Sequence, residues 1–481
     1  MRIASLWILA AIAVMVIAAG QQVSAQPQAV PAEALPDVAG ANNRFGFALL
    51  SQLTDGQTDN VFVSPLSIAL ALDMTLNGAA GDTRSAMMQA LEAQNLSLAD
   101  LNQASQHLRA ELTNVDPQVQ LSVANSLWLQ TGETLVPDFV KTADQFYGAK
   151  ASLVDFASPT SNAAIDAWVK QSTGGMIPAI AGPDPFTDTL CVLADAVYFH
   201  GQWTTSFDPT KTVTGPFTLL DGSKIDLPMM SQSGQYEYLK RPGMQMIRLP
   251  YGTGRLAMYV ILPGEMIGLA DASKAVTAES WKDWSSSMVS MPGKIVLPQF
   301  RVDYGADLKP VLAAMGMGAA FDPKAANFSG MYTGQLPIYV NDVLHKALLD
   351  VNEQGTEAAA GTGIRTPPTS TAPAPQEPFE MIVNRPFFCA IVDRDTGAIL
   401  FLGSIVNPEV IPAPVPAPAA AATSAQPATD SGGASQPAGH QRRVFRRQST
   451  PPQHGTPRGG QAPPGAQPPP NIQSPTVIYA P

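Results

Sequence analysis

The stretch Leu344 to Ser370 (LHKALLDVNEQGTEAAAGTGIRTPPTS) restricts the possible folds of this chain more than any other. It opens as a buried strand, with Leu344, Ala347, Leu348, Leu349 and Val351 apolar around His345, Lys346 and Asp350. After Asn352-Glu353-Gln354 the composition changes abruptly. Residues 355–363 (GTEAAAGTG) carry little side-chain bulk, too little to nucleate a core and too much glycine to hold a helix alone. Prolines at 367, 368, 373, 375 and 378 then forbid helix and central sheet alike. A structureless segment this long, well beyond about 12–15 residues, is functional or disordered in most domains.

The small residues are also sorted. Side chains in a strand alternate between two faces, so laying this segment into a sheet divides it in two. Counted from Thr356, one face receives Thr356, Ala358, Ala360, Thr362, Ile364 and Thr366, all small or apolar and uncharged. The other receives Glu357, Ala359, Gly361, Gly363 and Arg365, and with them both charges. A loop that stays in water has no need of that division; a segment that enters a sheet does.

The residues EQGTEAAA (353–360) resemble the hinge of the reactive-centre loop of serpins, the serine protease inhibitor family. VNRPFFCAIVDRDTGAILFLGSIVNP (383–408) is similar to that family's C-terminal signature, and NVFVSPLSIALALDMTLNGAAGDT (60–83) to its early helix. The resemblance covers about 38–408 and implies an α+β serpin fold with three β-sheets, about nine helices and an exposed reactive-centre loop. It implies a suicide-substrate inhibitor of a serine endopeptidase, a non-enzyme that needs no cofactor or metal and works as a monomer. Two alternatives stay open: a non-inhibitory binding or chaperone module, and a trap for cysteine proteases.

Residue by residue, the resemblance makes Glu353, Gly355, Thr356, Glu357, Ala358, Ala359 and Ala360 the hinge. In the family the residue before the cut lies fourteen after the hinge glycine, which here gives Thr369-Ser370. Arg365 is the alternative. Cutting there frees only ten residues beyond Gly355, roughly 33 Å of strand, a short tether for carrying a protease to the far pole. Small uncharged residues beside proline point to an elastase- or subtilisin-like target. Ser64, Ser67 and His345 occupy the places of the family's shutter, where the large sheet parts, and Trp203 that of the breach above it. The shutter's usual asparagine is Asp195 in this chain. A carboxylate beside the histidine favours imidazolium where an amide would not, so sheet opening is expected to depend on pH.

The ends read differently. Residues 1–25 have the Arg2 n-region, the apolar LWILAAIAVMVIAA and the small-residue VSA site of a secretory signal peptide, which implies a secreted protein, extracellular or periplasmic. A short linker, 26–37, precedes the 38–408 domain. From 409 to 481 Pro, Ala, Gly, Ser and Gln dominate, the composition of a disordered tail. Its Ala/Pro bias points to a bacterial source. The whole chain carries −11; setting aside Arg2 (+1) and residues 409–481 (five Arg against Glu409 and Asp430, +3) leaves −15 for 26–408. That balance argues against a nucleic-acid partner for the domain. No other segment is apolar for the ~18 residues of a membrane span. The two cysteines, Cys191 and Cys389, lie in apolar runs and read as buried thiols.

Between these ends, helical spacing over 38–55 is followed by a helix from Ser64-Pro65 and another from 81, capped by Asp82 or Thr83. A helix over 164–180 breaks at Gly174-Gly175. Strands with turn punctuation fill 190–264, and helices first with strands later is an α+β order. No GxSxG elbow, HExxH, CxxC pair, P-loop or GxGxxG occurs, so hydrolase, metal and nucleotide chemistries have no residues to rest on.

Overall fold

Pro65 in the first helical turn, with the Ser64 side chain accepting from the Ser67 N–H at 3.2 Å, starts a helix whose twelve residues are all buried. A helix with no solvent face has to be wrapped on every side, and the fold is that wrapping. The computed structural model describes residues 35–409 except 114, 185, 187, 266, 268, 335 and 357–376. The signal peptide expected at 1–25 and the tail beyond Glu409 lie outside the described residues.

In chain order, α1 (Val38–Thr54) and β1 (Val61–Val63) lead into α2 (Pro65–Leu76), α3 (Gly81–Ala90) and α4 (Leu98–Glu111). Next come β2 (Val119–Gln130), β3 (Thr134–Leu135), α5 (Pro137–Tyr147), β4 (Lys150–Val154) and α6 (Ser161–Ser172). The long strand β5 (Cys191–Gln202) is followed by β6 (Val213–Thr218), β7 (Lys224–Arg241), β8 (Met244–Pro250) and β9 (Leu256–Pro263). Two helices, α7 (Leu269–Ala275) and α8 (Ala278–Ser286), precede β10 (Val289–Pro298) and β11 (Phe300–Asp307). Short helical turns over 309–321 lead to β12 (Tyr332–Thr333), β13 (Asp342–Asn352) and β14 (Gly355–Thr356). Past the undescribed loop the chain returns as β15 (Phe379–Ile382), β16 (Phe387–Asp393) and β17 (Ile399–Ile405).

The strands make three sheets. One runs β11-β13-β14-β5-β2-β4, a second β1-β17-β16-β9-β8-β7-β10-β15 with β6 on β7, and a third is the pair β12-β3. The helix α2 lies between the large sheets, on β17 of one and on β2 and β5 of the other. Stacked Phe62 and Phe401, with Phe199 edge-on, tie the sheets together behind it. Among the described residues no helix is long and apolar enough to cross a membrane. Cys191 and Cys389 are both buried and free, in different sheets.

Two local expectations are corrected. The cap of α3 is Ala80, with no side-chain bond. Thr83 is buried instead, its hydroxyl accepting from the Asn327 N–H at 2.9 Å, so a tertiary contact has taken the capping group. The helix placed at 164–180 starts earlier and ends at Ser172, because Gly174 and Gly175 adopt φ of 63° and 88° just beyond it.

Candidate functional site: the seam between two central strands

The seam runs between β13 and β5, and its two halves are built differently. In the lower half the strands pair directly and in parallel, from Asp342↔Val192 to Leu348↔Tyr198. In the upper half they part, and Gly355 and Thr356 lie between them. Thr356 is in register with Val351 on one side and Gly201 on the other; Gly355 is in register with Asn352 and Gln202. The approach is so close that a Cβ on Gly355 would fall 2.0 Å from the Gly201 carbonyl oxygen, and its φ of 147° is one that only glycine adopts freely.

Side chains fix this wedge. Thr356 is fully buried, its Oγ1 3.0 Å from the Tyr251 hydroxyl. Tyr251, also fully buried, stacks on Trp203 at 4.4 Å between ring centroids, and burial drives its hydroxyl well above the usual tyrosine range. The Trp203 ring donates from Nε1 to the Asn352 carbonyl, and its backbone N–H donates to the Gln354 carbonyl, each at 2.9 Å. Glu353 accepts on Oε1 from the Thr212 hydroxyl at 2.6 Å and from Gln299 Nε2 at 2.7 Å. The residues just before the loop are therefore pinned from three directions.

The lower half carries a polar cluster in an otherwise apolar layer. Asp195 and His345 face each other in register, with Asp195 Oδ2 2.7 Å from His345 Nδ1. Both are buried, at 2% and 1% exposure, so Asp195 sits mid-sheet and not at a solvent edge. Ser67 Oγ donates to Asp195 Oδ1 and lies 3.5 Å from Asn125 Oδ1, while Asn125 Nδ2 donates to the Ser67 carbonyl at 3.3 Å. The Ser64 N–H points at His345 Nε2 at 3.4 Å. Both ring nitrogens of His345 are thus engaged, Nδ1 by the carboxylate and Nε2 by the backbone N–H that starts the helix. The N-terminus of α2 thus touches both strands of the seam.

The structure brings together Ser64, Ser67, Asp195 and His345, and separately Trp203, Glu353, Gly355 and Thr356. Glu357, Ala358, Ala359, Ala360, Arg365, Thr369 and Ser370 lie outside the described residues. Asn125 and Tyr251 are absent from the sequence reading. Asn125 had a signal, an amide inside the apolar strand run ANSLWLQ; Tyr251 sits in what reads as turn punctuation, LPYG. Among the described residues no group of His, Cys, Asp and Glu is arranged to hold a metal ion.

A sheet parted at one end and wedged by the start of a long loop defines a class, and comparison with known proteins names it. Residues 40–408 match the family model for serpins (serine protease inhibitors). The bovine leukocyte elastase inhibitor is 32% identical over 386 residues, covering 78% of this chain and 100% of the relative. The native-state structure of tengpin, a thermophilic serpin, superposes with a TM-score of 0.70 at 27% identity, covering 77% of this chain and 94% of its own. Human thyroxine-binding globulin, solved with its ligand, gives the same TM-score and identity over 77% of this chain and 98% of its own. The chain belongs to the serpin family, with its α+β fold.

Proposed function

We propose that the protein is a secreted, suicide-substrate inhibitor of serine endopeptidases, with an elastase- or subtilisin-like target. The observation that carries this reading is the seating of Gly355 and Thr356 as the first two residues of a strand that the β13–β5 seam lacks. A protease cuts the loop at Thr369-Ser370 and stays acylated on it. The segment after Thr356 then enters the seam, one shared ladder is exchanged for two, and the protease is dragged with it. From Gly355 to Thr369 the inserted chain spans roughly 46 Å, against roughly 36 Å for the eleven residues of β13. That is enough to carry the acylated end past the far edge of the sheet, whereas a cut at Arg365 falls just short.

Residues 1–25 direct export, 38–408 form the inhibitory domain, and the chain acts as a monomer. Incubation with serine and cysteine proteases, read on a denaturing gel, tests the reading. A covalent complex near one-to-one with a serine protease is expected, and a nicked protein that melts higher than the intact one. Clean cleavage by every protease, with no gain in melting temperature, sinks it. The likeness to thyroxine-binding globulin favours a second reading, a non-inhibitory binding protein, and that same outcome would support it.

A further inference from the structure

The seam's helix has a second polar anchor that the inhibitory cycle leaves unused. Two turns beyond Ser67, Asp73 is 1% exposed in the same helix α2. Its carboxylate takes one hydrogen bond, from Ser105 Oγ of α4 to Oδ2 at 3.3 Å. Around it Asn77 and Asn102 exchange reciprocal amide bonds of 2.8 Å, and the Tyr147 hydroxyl of α5 donates to Asn102 Oδ1 at 2.5 Å. Among the described residues the titratable group coupled to Asp73 is Tyr147, and burial, together with Asp73 itself, drives its hydroxyl well above its usual range, so it stays neutral. Among the described residues no Lys, Arg or His forms an ion pair with Asp73, so an ionised carboxylate there has one neutral donor and no countercharge.

We propose that Asp73 is a pH-operated catch on α2: neutral, it lets α2, α4 and α5 close dry on one another; ionised, it draws water into their junction and loosens the helix that fastens β5 to β13. Burial lifts the Asp73 pKa from 3.8 to about 7, against a smaller lowering by the Ser105 hydroxyl. The sign follows from linkage. Below pH 4 the acid is neutral both folded and unfolded, and its contribution to stability is intact. That contribution falls as pH rises from about 4 to about 7 and is flat above. Insertion of the loop, which needs the seam to open, is then faster in mildly alkaline than in mildly acidic surroundings. This last step rests on the inhibitor reading; the catch itself does not.

Hydrogen exchange of the α2 and α4 amides, compared between wild type and Asp73→Asn from pH 5 to 8, tests the catch in the full-length protein. Intrinsic rates cancel in the ratio, which is expected to grow roughly tenfold per pH unit up to pH 7 and then level off. A ratio independent of pH overturns the proposal. Should Asp73→Asn fail to fold, Ser105→Ala removes the one donor and is expected to move the wild-type exchange profile to higher pH; an unmoved profile is equally fatal. A second arm nicks the loop with a metalloprotease, which forms no acyl-enzyme, and follows the gain of denaturant resistance at pH 6 and 8. Wild type is expected to gain it faster at pH 8, and the variant at equal rates. The same pH response in both overturns the link to the seam. No gain in either sinks the inhibitor reading, while the exchange arm still decides the catch.

Discussion

Replacing Thr356 by arginine tests the wedge where it is tightest. The threonine is fully buried, and its hydroxyl meets Tyr251 at 3.0 Å. Truncating it would cost about 1 kcal/mol for the hydrogen bond and about as much for the methyl group. Arginine does more, because a cation with no partner cannot be desolvated there at an effective cost below several kcal/mol. The wedge leaves the sheet, and insertion after cleavage must force the guanidinium through the same position. A rise of about 3 kcal/mol in the insertion barrier slows that step by more than a hundredfold. Deacylation does not pass through this site and keeps its rate. On the proposed inhibitor reading, a protein that traps its protease nearly one-to-one is expected to become a substrate, consumed many times per protease. The remainder of the fold does not depend on two residues that can withdraw into solvent, so the intact variant should keep its circular dichroism. The assay is titration of residual protease activity against variant, with Thr356→Ser, which keeps the hydroxyl, as control. A Thr356→Arg protein that titrates its protease at the wild-type ratio refutes the reasoning.

At Gly355, alanine meets both a φ of 147° and a backbone oxygen 2.0 Å from its Cβ. Gly355→Ala is expected to expel the wedge and expose the loop's start to proteolysis in the uncleaved protein, which limited digestion would read as faster cutting near 355. Away from the seam, Arg255 donates to the wholly buried Asp393 side chain from Nε at 2.6 Å and from Nη2 at 3.1 Å. Burial opposes the Asp393 charge, but the bonds from Arg255 and Thr396 outweigh it and hold the carboxyl below its usual range. Its contribution to stability is therefore present above about pH 4 and lost as pH falls below that, and Arg255→Ala should cost about 3–5 kcal/mol in urea unfolding at pH 7 and much less at pH 3.

The fold class and the order of elements were legible because the hinge and two flanking motifs repeat a known pattern, and because β5, buried at almost every position, reads as a central strand. That Ser64, Ser67, Asp195 and His345 come together was legible through the family resemblance, which put all four at one place. The cluster's fifth member, Asn125, belongs to β2, and only the antiparallel register with β5 sets it opposite Asp195. Tyr251 was beyond reach for a related reason. It directly follows β8 of the other large sheet, and a contact with Thr356, 105 residues on, exists only once both sheets have closed over α2. Asp73 was hidden inside an apolar helix, where one acid among eleven neighbours leaves no periodic signal. The wedge itself could not be read at all: the sequence sorts the loop's faces but does not fix how many residues are already in.

The two observed registers carry further than the residues that make them. Thr356 lies opposite Val351 of β13 and Gly201 of β5, both antiparallel to it. Six residues on, the first register reaches His345 and the second Asp195, and these two are already partners across the seam. An inserted strand must therefore bring Thr362 between them, with its side chain on the face Thr356 occupies. Thr362 lies outside the described residues, so this is a position in the cleaved form alone. There its hydroxyl can donate to the Asp195 carboxylate and accept from the imidazole, replacing the bond that insertion breaks. Valine has the shape without the hydroxyl and would leave two buried polar groups short of a partner, at about 1–3 kcal/mol each. Thr362→Val should leave the intact protein's melting temperature unchanged and lower that of the nicked protein. If nicked wild type and nicked variant melt together, the strand has entered in another register or has not entered.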